Sequence, residues 1–108
     1  MALALPAPLP DYFTAKNAHD IDAMLAAFAA DARVHDEGRD HRGRDAIRAW
    51  IADTTAKYSV TATPEDMAQD GAETVVRALV AGNFPGSPAH LTYRFTLAGA
   101  RIAALSIG

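Results

Sequence analysis

The chain has 108 residues, of which 50% are hydrophobic and 21% charged, with a formal net charge of −3 and no cysteine. That length holds one domain around one core. The mild acidity leaves no footprint for nucleic acid or an acidic membrane surface, and the lack of thiols excludes disulfides, thiolate metal sites and a cysteine nucleophile.

Residues 1–9 are a proline-rich lead-in to a single domain read over 1–108. Pro6, Pro8 and Pro10 interrupt a short apolar start that has no basic residue, so no signal segment is expected. No stretch approaches the ~20 apolar residues of a membrane span, and a cytoplasmic location is the default expectation. Residues 11–18 have helical character, with Tyr12 and Phe13 ahead of a break at Asn17, Ala18 and His19. Asp20 suits a helix N-cap because its short side-chain oxygen precedes an apolar periodic run. In that run Ile21, Met24, Leu25 and Phe28 follow the i, i+3, i+4, i+7 spacing of one buried stripe. Residues 31–36 read as a short strand, closed by a loop at 37–43 dense in both signs of charge. A third helix begins near Arg44 and Asp45, where an acid suits the positive end of the helix dipole. It buries Ile47, Trp50 and Ile51, with Thr54, and runs out near Lys57.

From Tyr58 the pattern turns to β and alternates as far as Pro64, which regular central pairing does not tolerate. A bulge or irregular segment is expected there, with pairing resumed near Met67. A turn at 69–72 leads into a strand at 73–82 rich in β-branched residues, and a Pro/Gly corner at 84–88 precedes strands at 90–97 and 101–107. Leu91, Tyr93, Phe95 and Leu97 share one face; His90, Thr92, Arg94 and Thr96 share the other. In the 73–82 strand both faces are largely apolar: Val75, Leu79 and Ala81 on one, Thr74, Val76, Ala78 and Val80 on the other, with Arg77 the main exception. Such strands are normally covered on both sides, and one short chain has too few helices to do so. A homodimer joined through the outer sheet face is therefore expected.

The order α, α, β, α and then four strands resembles the nuclear transport factor 2-like superfamily, and within it the SnoaL-like branch of polyketide cyclases and ketosteroid isomerases. The motifs that carry the resemblance are Asn-Ala-His-Asp-Ile-Asp at 17–22, Phe-Ala-Ala-Asp-Ala-Arg-Val-His-Asp at 28–36, Arg-Gly-Arg-Asp-Ala-Ile-Arg at 42–48 and Phe-Pro-Gly-Ser-Pro at 84–88. The resemblance implies an α+β cone, a curved antiparallel or mixed sheet wrapped around three helices with an internal pocket, and in many members a homodimer. It also implies residue roles. The position of the isomerases' general base is held by Asp36, and that of the oxyanion-hole phenol by Tyr12. Their third member is an aspartic acid kept neutral by an apolar site. Here Leu91 stands in that place and donates no hydrogen bond, so the isomerase triad is incomplete.

Each candidate has a plain structural alternative. Asp36 is either a proton-transfer base at an apolar pocket or a solvated strand end held by a loop amide or by Arg33, Arg39 or Arg42. Tyr12 either donates to a carbonyl or developing oxyanion, or is an ordinary core tyrosine. Phe28, Trp50, Leu91, Tyr93 and Leu105 are the candidate ligand-binding residues, read against core packing. His19, His35, His41 and His90 form neither an i, i+4 pair nor a carboxylate cluster, and His35 should face away from Asp36, so no metal is expected. An Asp-Arg-Asp set like that of the superfamily's epoxide hydrolases would need Arg33 or Arg94. The expected partner is a small apolar carbonyl compound handled without a cofactor, as an isomerase or cyclase substrate or as the ligand of a non-catalytic module.

Overall fold

A computed structural model describes residues 4–108. Among these residues the elements run α1 (Leu9–Asn17), α2 (Ile21–Ala26), β1 (Phe28–Asp36), β2 (Arg39–Arg42), α3 (Arg44–Tyr58), β3 (Thr61–Asp70), β4 (Glu73–Ala81), β5 (Ala89–Ala98) and β6 (Arg101–Ile107). The strands form one mixed sheet in the order β2-β1-β6-β5-β4-β3. Strands β3 to β6 are an antiparallel meander, and β6 joins the N-terminal hairpin by a parallel pairing that sets Val34 beside Leu105. The sheet does not close into a barrel, and its inner face and the helices enclose one core.

Strand parity decides which residues enter that core. On β5 Tyr93 and Phe95 are buried with Leu91 half-buried, while His90 and Arg94 are exposed. On β4 Thr74, Val76, Ala78 and Val80 are buried, and Val75, Leu79 and Ala81 are half-covered on the far side. The bulge expected at Pro64 is present as a register shift between Pro64 and Asp66. Asp20 caps α2, its carboxylate accepting from the Ala23 amide at 3.1 Å.

Several expectations are corrected. Phe28 does not continue the α2 stripe: the helix stops at Ala26, and Phe28 opens β1 opposite Ile102. The charged segment 37–43 is not all loop, because Arg39–Arg42 pairs back on β1 as a four-residue strand. Tyr58 ends α3 rather than beginning β structure; Ser59 takes a left-handed cap at φ 48° and β3 starts at Thr61. Helix α1 begins inside the proline-rich lead-in, with Pro10 in its first turn, where its missing N–H costs nothing.

At the corner after β4, Gly82 admits no side chain. A Cβ there would lie 2.6 Å from the Tyr58 carbonyl oxygen. That close approach lets the Asn83 amide donate to the Tyr58 carbonyl at 2.7 Å and brings Phe84 beside the C-terminal end of α3.

Candidate active site

The helices and the inner sheet face leave a cavity of about 570 Å³. Its wall comes from every layer of the fold: Lys16 of α1, Asp36 at the end of β1, Trp50, Thr54 and Tyr58 of α3, and Val80, Leu91, Tyr93 and Ile107 of the sheet. At its mouth the Tyr58 hydroxyl donates to Glu37 at 2.7 Å, and the Tyr58 ring meets Phe84 edge-on at 6.3 Å.

Asp36 lies on this wall because β1 alternates. Ala32 and Val34 point into the core, and Asp36 continues that face where the strand runs out of helix to cover it. Its carboxylate is half-buried and accepts from Trp50 Nε1 at 3.0 Å. Burial raises its pKa above the ordinary carboxylate value, while the indole hydrogen bond, Lys16 and the Glu37 amide pull it down and the Glu37 charge pushes it up. Among the described residues none of the arginines Arg33, Arg39 and Arg42 forms an ion pair with it. A half-buried carboxylate on a cavity wall, held by the indole and the Glu37 amide, has the kind of placement that proton transfer requires.

Lys16 is the residue that sequence reading missed. It lies one helical turn after Tyr12, on the buried face of α1, and only 8% of it is exposed. Its Nζ sits 5.9 Å from the centroid of the Tyr93 ring, and among the described residues no carboxylate oxygen lies within 4.0 Å of it. Burial lowers its pKa to about 8, with the charge of Asp36 acting in the opposite sense. The available signal was the i, i+4 spacing from Tyr12. It was masked because a lysine at a helix end ordinarily reads as a solvated cation at the negative end of the dipole.

Three expected site residues lie elsewhere. Tyr12 is fully buried and does not share the cavity wall with Asp36 as expected; its ring packs edge-on against Phe28 and Phe95, at 5.7 Å each. Its hydroxyl has no hydrogen-bond partner among the described residues and no solvent contact, and desolvation pushes its pKa well up. Phe28 belongs to the same aromatic layer rather than to the cavity, because β1 rather than α2 carries it. Leu105 is also sealed in the core; Ile107, two residues further along β6, is the side chain that reaches the cavity. Trp50, Leu91 and Tyr93 are on the wall with Asp36.

The outer sheet face carries a second concavity, lined by Arg33, His35, Asp40, Arg42 and Arg94 among others. His35 bonds Asp40 there at 2.7 Å, on the opposite side of the sheet from Asp36, as strand parity requires. Arg94 reaches Glu73 at 3.3 Å and Asp70 at 3.5 Å. Both arginines of the epoxide-hydrolase-like reading are thus separated from Asp36 by the sheet. Among the described residues no three His, Asp or Glu side chains gather as a metal site, and no helix is long and apolar enough to cross a membrane.

The profile of the SnoaL-like domain matches residues 9–105. A Sinorhizobium meliloti protein whose name places it among the polyketide cyclases is 44% identical, with a TM-score of 0.91 over 96% of this chain and 95% of that one. A Catenulispora acidiphila protein with a ketosteroid isomerase-like fold, solved with trimethylamine, is 22% identical, with a TM-score of 0.80 over 95% of this chain and 86% of that one. SalBIII, an epoxide hydrolase/cyclase-like enzyme of pyran ring formation in the polyether salinomycin, is 22% identical, with a TM-score of 0.73 over 92% of this chain and 84% of that one. At that identity the last two speak for the fold alone. No protein of curated function matches the chain.

Proposed function

The chain belongs to the SnoaL-like family, and from that premise we propose that it is a cofactor-independent enzyme of isomerase or cyclase type, acting on a small, mostly apolar carbonyl compound by proton transfer. The observation that carries the reading is Asp36: a half-buried carboxylate on the wall of a cavity otherwise dominated by apolar and aromatic side chains, with its pKa raised by that burial. A base works best when its pKa approaches the working pH, and desolvation moves a carboxylate in that direction. Trp50 fixes the carboxylate, while Leu91, Tyr93 and Ile107 supply the surface on which an apolar skeleton would lie. The polyketide cyclase name of the Sinorhizobium meliloti protein fits the same chemistry, since ring closure of a polyketone begins with removal of a proton next to a carbonyl.

Asp36→Asn tests this directly. The amide keeps the shape but accepts no proton at neutral pH, so turnover of enolisable ketones should fall by roughly 10²–10⁴-fold while the melting temperature holds or rises. Equal turnover in both proteins, or a large loss of melting temperature in the variant, would assign Asp36 to structure instead. Ligand binding by both with turnover by neither would make the domain a non-catalytic binding module.

A further inference from the structure

We propose that Lys16 is the electrophilic partner of Asp36: its ammonium binds the substrate oxygen on which negative charge collects, so that the pocket accepts carbonyl compounds reacting through an enolate. This rests on the function proposed above and names the half of the reaction that Asp36 alone does not explain.

The reaction needs a donor at the oxygen, and the cavity has few to give. Leu91 has none. The Trp50 indole is engaged by Asp36, the Thr54 hydroxyl donates to the Trp50 carbonyl at 2.8 Å, and the Tyr58 hydroxyl donates to Glu37. The Tyr12 hydroxyl is out of reach of even a water-sized group. Of the side-chain donors on the wall, Lys16 and Tyr93 are left without a hydrogen-bonded partner among the described residues, and Lys16 alone carries charge. A lysine more than nine-tenths buried, with no carboxylate within 4.0 Å of its ammonium among the described residues, is an incomplete ion pair. Burial of a cation is unfavourable until an anion joins it, so an oxygen that gains charge during the reaction is bound more tightly than the neutral carbonyl before it.

The step balances within the two side chains. Asp36 takes the proton from the carbon next to the carbonyl, the electrons of that C–H bond form the C=C bond, and the carbonyl π electrons move to the oxygen beside Lys16. Lys16 keeps its own proton. Returning the proton from Asp36 to another carbon completes an isomerisation; for a cyclisation the enolate carbon attacks a second carbonyl, the first carbonyl re-forms, and the new alkoxide oxygen takes the proton back from Asp36. The other ionisable groups facing Lys16 are Asp36 of β1, Tyr93 of β5, Tyr12 of its own helix, and Glu37 and Tyr58 at the mouth of the cavity.

Para-nitrophenol, whose phenolate mimics an enolate and absorbs visibly, is the probe, with para-nitroanisole as its neutral counterpart. The wild type should bind the phenolate roughly tenfold more tightly than the ether, lower the apparent pKa of the bound phenol by about one unit, and lose the preference as pH rises past about 8 and Lys16 sheds its proton. Lys16→Met should bind both compounds alike and hold the ether as tightly as the wild type. Lys16→Arg should keep the preference, and Asp36→Asn should keep or increase it. A Lys16→Met protein that still prefers the phenolate would overturn the inference. So would a wild type that binds the ether and the phenolate equally, which leaves the pocket reading intact. A wild type that binds neither compound would remove both. The wild-type pH profile requires no variant and decides the matter even where Lys16→Met fails to fold.

Discussion

A hydrogen bond to a carboxylate favours its charged form, so Trp50 opposes what burial does to Asp36. The sign gives a prediction. A base must be ionised to act, so activity falls as pH drops through the pKa of Asp36; removing the indole donor raises that pKa. Trp50→Phe should shift the acid limb of the pH–rate profile upward by about one unit, the lower end of what a hydrogen bond to a charged group provides. The smaller ring also loosens packing, but a packing loss lowers the melting temperature without moving the limb, and an unmoved limb would sever Trp50 from Asp36. Asp36 was legible in the sequence because it ends a strand of clear parity at a position the family resemblance marks. Trp50 was legible as one of a helical trio with Ile47 and Ile51. The roles of Tyr12 and Lys16 are not legible in the sequence, because a turn of helix separates them and periodicity places both on one face without saying which faces the core and which the cavity. The depth of the aromatic layer decides that, and its members Phe28 and Phe95 come from two different strands, the latter near the end of the chain.

At the scale of elements, the site depends on how the end of α1 is fastened to β3. Asn17 does this with both ends of its amide: Nδ2 donates to the Ala62 carbonyl at 2.9 Å and Oδ1 accepts from the Ala62 amide at 2.7 Å. Ala62 is buried, so its backbone groups have no water to turn to. Asn17→Ala should therefore destabilise the fold by about 2 kcal/mol, which for a domain of this size lowers the melting temperature by roughly 10 °C. Because Lys16 is the preceding residue, the same change should weaken binding of the phenolate probe more than that of the ether, as read by paired titrations. A variant that melts like the wild type would show that water replaces the amide. The broken alternation at Pro64 and the Asp20 cap were readable because proline and short capping side chains act locally. The pairing of β2 was not, since four residues dense in charge carry no period; only their register against β1 makes them a strand. Phe28 is the reverse case: its spacing fits the α2 stripe, but its backbone pairs with Ile102.

On the scale of the whole molecule, the outer face of the sheet predicts behaviour in solution. Its β4 residues Val75 and Leu79 are half-covered in the single chain, and ion pairs from Arg94 to Asp70 and Glu73 and a hydrogen bond between His90 and Glu65 cross the neighbouring rows. These pairs are exposed and contribute little stability on their own. They do fix long side chains in place, which lowers the cost of pressing a second surface against them. No helix of the described residues packs on this side, because the core cluster takes the inner face alone. A twofold pairing of two such faces sets each row of apolar β4 residues against its copy and needs no further element. We therefore expect a homodimer centred on residues 73–82, 90–97 and 101–107. Sedimentation equilibrium at micromolar concentration should give twice the chain mass of 11.4 kDa. Leu79→Glu, which places like charges near the twofold axis without touching the cavity, should return the protein to a single chain and leave phenolate binding unchanged. A wild type that sediments at 11.4 kDa would show that Val75 and Leu79 are sufficiently covered by their own neighbours, and that the outer face meets water as it stands.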